Sequence, residues 1–351
     1  MPLFEIISNS IHAVFEKKQV QENLKGKILI EVIRNGNEEI LAALNEIDCY
    51  PIHSFRVSDN GIGLNDENIK SFAEFDSEKK AEIGGKGVGR LVCLKAFNKL
   101  EYESIYFEDN SYKMRKFDYK KTKEGFENYF DDIPTTKKIT GTIAILSNYE
   151  YTYQKGVPYE ITEIARQIVS HFQLYFIQKI EPEIILRNQN NIEVNLTNLF
   201  NTEFKNEILT STFDILNHNF NIFISKSYKA KSHKIHYCAH ERSVKDEGLS
   251  LYLEDLRLKI HDDDNDDGYF FQIFVVGDFL DKNVNESRTS FNFSTDDNDE
   301  SDIEDLSLSK IRKSAYSGDI RSLFPVISVH FLFIFLFAGV KLILFSQTLS
   351  F

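Results

Sequence analysis

The sequence predicts a mixed α/β chain folded as two successive units, and three observations carry that prediction. Apolar residues at helical spacing alternate with short runs of alternating polarity across residues 1–200. Strand-like segments then begin afresh after about Phe200. Finally, a chain of 351 residues is long for one domain and sufficient for two cores.

The first helix is read over Leu3 to Phe15, where Ile6, Ile7, Ile11, Val14 and Phe15 fall at helical spacing. Lys27 to Ile33 alternates as a strand, and Ser54 to Ser58 is a second strand running into a glycine turn. Asp66 to Phe75 and Val88 to Phe97 read as helices; Leu100 to Phe107, Tyr112 to Tyr119 and Thr142 to Ser147 read as strands. Pro158 starts a long amphipathic helix reaching about Phe176, because proline's missing N–H does no harm at an early helical position. Glu183 to Arg187 and Ile192 to Leu196 form a hairpin across Asn190-Asn191.

In the second unit, Phe220 to Ser225 and Lys234 to Cys238 are strands, and Leu249 to Leu256 suits a strand or a helix. Tyr269 to Val276 is a buried strand. The expected division is residues 1–200, residues 205–294, an acidic solvated linker over 295–322 and an apolar tail over 323–351.

The net charge of −13, with acidic runs at Asp262 to Asp267 and Asp296 to Glu300, argues against broad nucleic-acid binding, which depends on clustered Lys and Arg. A local basic groove stays open. Cys49, Cys93 and Cys238 are odd in number and widely spaced, without metal-type pairing, and read as reduced residues of a cytoplasmic protein. Met1 to Phe15 carries acids and polar residues, unlike a secretory signal. Leu323 to Phe345 reaches the roughly 20 apolar residues that span a bilayer, with Arg312, Lys313 and Arg321 on its N-terminal side. Two readings of it stand: a membrane anchor, or a non-native end left by a shifted or truncated reading frame.

Three short strings carry the chemistry. In Glu5-Ile-Ile-Ser-Asn9 the two polar residues lie four apart, on one face of a helix. A carboxylate there can deprotonate water, and the amide oxygen suits a hard cation such as Mg²⁺. Alone, such a pair is ordinary helix surface. Asp59-Asn-Gly-Ile-Gly63 puts an acid at a strand end, able to accept from an exocyclic amine, above two glycines that let the backbone pass under a planar ligand. Alone it is a tight turn. Gly84-Gly-Lys-Gly-Val-Gly89 opens a helix, where backbone N–H groups attract phosphate. It is not a P-loop, since no Lys-Ser/Thr follows its last glycine.

The ordered set resembles the GHKL ATPase superfamily, which includes gyrase B, MutL, sensor histidine kinases and the ninety-kilodalton heat-shock chaperones. Glu5 to Ala13 is similar to its N box, Asp59 to Gly63 and Gly84 to Gly89 to its two glycine boxes, and Gly141-Thr142-Ile143 to its Gly-Thr box. The resemblance covers about Leu3 to Leu196. It implies a Bergerat-type two-layer α/β sandwich with a mixed, mostly antiparallel sheet and ATP between sheet and helices. It further implies Glu5 as general base, Asn9 as Mg²⁺ ligand, and Asp59 and Thr142 as adenine contacts, with Gly61 and Gly63 beneath the nucleotide. Gly85, Lys86, Gly87, Val88 and Gly89 would hold the phosphates.

A further likeness, Val275 to Arg288, resembles the middle domain of the heat-shock chaperones and implies a transducer-like second unit with Arg288 at the γ-phosphate. The arrangement is nearest the chaperone type. Implied partners are ATP, Mg²⁺, a second copy of the chain when ATP is bound, and a protein client. Three functions stay open: an ATPase that drives a conformational or dimerisation switch, a non-hydrolysing nucleotide-sensing adaptor tethered to a membrane, and a MutL-like DNA clamp.

The family pattern is departed from in two places. Only four residues precede Glu5, where relatives carry a strand and part of the helix, and His12 stands where many carry an acid. Two other strings mimic metal sites. Asp263 to Gly268 fits half an EF-hand loop, but Phe274 takes the place of its bidentate Glu, so it reads as a solvated turn. His233, His236 and His240 read as ordinary polar positions.

Overall fold

The computed structural model describes residues 2–34, 51–73, 89–120, 125–178, 182–205, 208–228, 230–240, 242–252, 254–262, 265–285, 290–294 and 306–315. The chain divides into two compact units, residues 1–206 with 240–242, and residues 207–239 with 243 onward.

The first unit is a sheet covered by helices. Helix α1 (Pro2–Val20) buries Ile6, Ile7, Ile11 and Val14 of the apolar stripe read from the sequence, together with Leu3, and leaves Phe15 half-buried. Strand β1 (Lys27–Arg34) buries Ile28, Ile30 and Val32 while the residues between them stay half-buried. That alternation is the mark of a sheet with one face covered. β2 (Ile52–Asp59) pairs antiparallel with β1 and ends on Asp59 itself, one residue further than expected. Helix α2 (Asp66–Ala73) follows, and α3 (Gly89–Ala96) leads directly into β3 (Phe97–Glu108). β4 (Ser111–Lys120), β5 (Phe126–Pro134) and β6 (Gly141–Tyr149) complete the antiparallel part. The outward face of β3 is charged: Lys99 pairs with Glu101 and Asp118, and Glu103 with Lys116.

The expected long helix is two pieces, α4 (Ile161–His171) and α5 (Gln173–Ile177), separated at Phe172 where ψ turns to 24°. β7 (Glu183–Arg187) and β8 (Glu193–Asn195) form the expected hairpin, and α6 (Leu196–Glu203) takes over from Leu196, capped by the Asn195 side chain. β7 runs parallel to β1, so the eight strands stand in the order β5-β4-β3-β6-β2-β1-β7-β8. The sheet is mixed and mostly antiparallel, as expected. α1 packs over β1, β2 and β6 and beside α3. Phe4 stacks on His171 of α4 at 4.0 Å between ring centroids, locking the two helices together.

The second unit holds β9 (Leu209–Ile215), β10 (His218–Ser227), β11 (Lys234–Ala239), β12 (Arg242–Gly248), β13 (Ile260–Asp262) and β14 (Asn265–Val276). The main order is β12-β11-β14-β10-β9, with β13 paired to β14. Leu249 to Leu256 is neither strand nor α-helix but two 3₁₀ turns. The solvated turn read over Asp263 to Gly268 is corrected in part: Asn265 onward belongs to β14, which pairs antiparallel with β13, while Asp263 and Asp264 lie outside the described residues. Helix α7 (Asp278–Lys282) follows β14.

The linker expected over 295–322 is corrected in part, because residues 308–315 form helix α8. Leu308, Ile311 and Ala315 lie in the same core as Phe220, Ile222, Ile273 and Val275. Four lysines, arginines and serines on its other face masked that stripe in the sequence. Among the described residues no helix is long and apolar enough to cross a membrane, and Leu323 to Phe345 lies outside them.

Candidate functional site

Three of the strings singled out in the sequence meet at one carboxylate. Asp59, the last residue of β2, accepts from Ser10 Oγ on α1 at 2.9 Å, from Gly61 N at 2.9 Å and from Thr142 N on β6 at 3.2 Å. The N-box helix, the glycine turn and the Gly-Thr pair thus converge on a single group. Two of these bonds fall on Oδ1 and one on Oδ2. A carboxylate offers about four acceptor positions, so among the described residues one on Oδ2 is left for a ligand. Burial pushes the Asp59 carboxyl up to about 6. The three donors and the nearby Lys17 charge pull the other way, so the group stays mostly ionised at neutral pH.

The turn after Asp59 is held almost atom by atom. Asn60 O accepts from Lys17 Nζ at 2.8 Å, Gly61 O from Thr140 Oγ1 at 2.7 Å, and Ile62 N donates to Ala13 O at 2.9 Å. Gly63 O accepts from Asn68 Nδ2 at 3.3 Å, and Leu64 N donates to Ser104 Oγ at 2.7 Å. Both glycines have a physical reason. A Cβ at Gly61 would stand 2.6 Å from the Ala13 carbonyl carbon, and Gly63 sits at φ +84°, where a Cβ would also run into the Ile105 carbonyl.

Glu5 and Asn9 lie one turn apart on α1, Glu5 half-buried and Asn9 exposed. Helix α3 starts at Gly89, the last glycine of the third string. One turn on, its Cys93 Sγ lies 3.4 Å from Pro2 O at the start of α1. Burial, then the Glu5 charge, pushes the Cys93 thiol up to about 12, so this sulfur is inert. The turn of α3 that carries Cys93 therefore lies beside the start of α1, within reach of the Glu5 charge. Gly85, Lys86, Gly87, Val88 and Arg288 lie outside the described residues.

Sequence reasoning missed Ser10, Ser104 and Arg115. Ser104 is fully buried, and its hydroxyl meets Thr142 Oγ1 at 2.9 Å as well as Leu64 N. The signal available was a serine at an inward position of β3, where its neighbours Tyr102 and Tyr106 are large and apolar. Two histidines of the triplet are engaged in the fold. His233 is buried with Nε2 on Leu258 O at 2.8 Å and Nδ1 accepting from Phe271 N at 2.8 Å, so both ring nitrogens serve the backbone. His236 bridges Ser243 and Gln272.

The solved structures to which this chain is similar include two ATPase structures. The 43K ATPase domain of Thermus thermophilus gyrase B, solved with an aminocoumarin, is 13% identical over 78% of this chain and 74% of its own, with a TM-score of 0.39. The ATPase region of Saccharomyces cerevisiae topoisomerase II is 13% identical over 93% of this chain and 86% of its own, with a TM-score of 0.46. No protein-family model and no curated protein sequence matches this chain.

Proposed function

We propose that this chain binds Mg-ATP and hydrolyses it slowly, using the cycle to drive a conformational or dimerisation switch. The observation that carries the reading is the Asp59 carboxylate, fixed by donors from three separate motif segments and left with one acceptor position. An ionised acid with that valence suits the exocyclic amine of adenine, and Thr142 stands beside it. The remaining donor set fits the rest of the nucleotide. Asn9 offers an exposed amide oxygen of the kind Mg²⁺ accepts, and Glu5 lies one turn away on the same helix.

Bound Mg²⁺ would neutralise phosphate charge. The chain's own residues do the rest. Asp59 and Thr142 orient the base, Asn9 holds the cation, and Glu5 takes the proton from the attacking water. The glycine string Gly84 to Gly89 would cradle the phosphates and Arg288 would meet the γ-phosphate, both by resemblance. The Hsp90-like arrangement, ATP-dependent dimerisation and a protein client belong to the same proposal.

Calorimetric titration of the full chain with ATP and magnesium tests it: saturable heat is expected, and a folded chain giving none overturns the reading.

A further inference from the structure

Arg115 of β4 is 1% exposed, the largest fully buried side chain in the described chain. A guanidinium with nothing to bind would not be placed there, because an unpaired buried charge is prohibitively costly. Its fork is shared among three acceptors on two segments. Nε donates to Asp131 Oδ1 on β5 at 2.6 Å, Nη2 to Asp66 Oδ1 at the start of α2 at 2.7 Å, and Nη1 to the Leu64 carbonyl. Its Cζ lies 4.6 Å from the centroid of the Tyr106 ring, whose hydroxyl donates to Asp132 at 2.7 Å.

Two of those three acceptors belong to the segment that runs from Asp59 into α2. Leu64 is the residue after Gly63; its N–H goes to Ser104 and its carbonyl to Arg115. Ser104 in turn meets Thr142, whose N–H reaches Asp59. Arg115 therefore closes a chain of hydrogen bonds that starts at the candidate base-reading acid. A second cation, Lys17, holds the opposite end of this turn through the Asn60 carbonyl.

We propose that Arg115 is a positioning residue for nucleotide recognition, holding the Gly63-Leu64 backbone in register so that Asp59 and Thr142 meet the base. The inference rests on the ATP reading above. It acts through the loop and touches no reacting atom, so its removal should weaken binding and base selectivity while leaving turnover at saturation nearly intact.

The test compares the full chain with Arg115→Ala, Arg115→Lys, Asp131→Asn and Arg166→Ala. Arg166 pairs with Glu203 at 2.6 Å on a different side of the same unit, so its removal controls for general destabilisation. Each variant is assayed for ATP and GTP affinity and for steady-state hydrolysis, below its own melting temperature. Arg115→Ala should raise KM for ATP by about tenfold or more with kcat within about twofold, and should narrow the ATP-over-GTP preference. Arg115→Lys should recover little, because an ammonium cannot serve three acceptors in a planar fork. Asp131→Asn should move in the same direction by less, and it carries the test with Arg115→Lys should the alanine variant not fold. Unchanged affinity and selectivity in these variants would overturn the inference, as would an equal loss in Arg166→Ala. A wild-type chain that binds no ATP would remove the reading itself, an outcome distinct from binding that is indifferent to Arg115.

Discussion

Ser10 Oγ stands 2.9 Å from Asp59 Oδ2, which ties the helix bearing Glu5 and Asn9 directly to the strand end bearing the candidate base-reading acid. The contact is between a buried hydroxyl and a carboxylate, so it favours the ionised form. Losing it should therefore raise the Asp59 pKa above its value of about 6. ATP affinity measured from pH 5 to 8 should be flat above about pH 7 and fall below about 6, where Asp59 takes up a proton. Ser10→Ala should shift that fall to higher pH. An affinity independent of pH across the range would contradict the role given to Asp59.

Asp59→Asn separates recognition from stability. Because burial raises the folded pKa from 3.8 to about 6, the folded chain holds this proton more tightly than the unfolded chain. The resulting stabilisation is complete below about pH 3.8 and is lost as pH rises through about 6. At neutral pH the ionised acid is thus a stability cost that asparagine avoids. The variant should melt no lower than wild type at pH 7.5 in a calorimetric scan, yet show no ATP binding.

Glu5 and Asn9 should divide the labour of one helix face. Glu5→Ala should retain ATP affinity within about threefold and lose turnover by a factor on the order of 10² or more in a phosphate-release assay. Asn9→Ala should weaken binding of Mg-ATP more than of ATP alone. Intact hydrolysis in both variants would remove these assignments.

Gly63→Ala tests the turn without touching any polar group. The residue sits at φ +84° against the Ile105 carbonyl, so the added methyl meets both strain and overlap. We expect a loss of about 1–3 kcal/mol in urea-induced unfolding of the first unit. A neutral result would mean that the turn relaxes freely.

Ile311→Ala asks whether α8 belongs to the second core. Its side chain is wholly buried, in the core that also holds Leu308, Ile222 and Ile273. Truncating it should cost about 2–5 kcal/mol, read as an earlier denaturation of the second unit with the first unchanged. Denaturation midpoints that do not move would return the segment to the linker.

What the sequence disclosed, and what it hid, follows from how each element is buried. α1, β1 and β2 were legible because their apolar residues repeat with the period of the element that forms, and β14 because its apolar run from Tyr269 to Val276 is nearly unbroken. β5 was not, because Phe126–Pro134 is an edge strand with a largely exposed, acidic face and no alternation to detect. The break at Phe172 was hidden because apolar residues continue on both sides of it. At the site, the strings announced Asp59, Gly61, Gly63 and Thr142 through their order along the chain, since each string alone is an ordinary turn or strand end. Ser10, Ser104 and Arg115 carry no such local signature. Their roles depend on partners 49, 40 and 51 residues away in the chain, which only the folded structure brings within reach.

The carboxylate that gathers these donors also sets a timetable for synthesis. Asp59 acquires its last donor only once Thr142 has been made, and β1 gains its parallel neighbour only with Glu183 to Arg187. A nascent chain halted short of those residues leaves the edge of β1 open and the acid short of a donor, at a stage when bare strand edges invite aggregation. Ribosome-bound fragments should therefore depend on a holdase until well past the middle of the chain, and acquire ligand competence in a single late step.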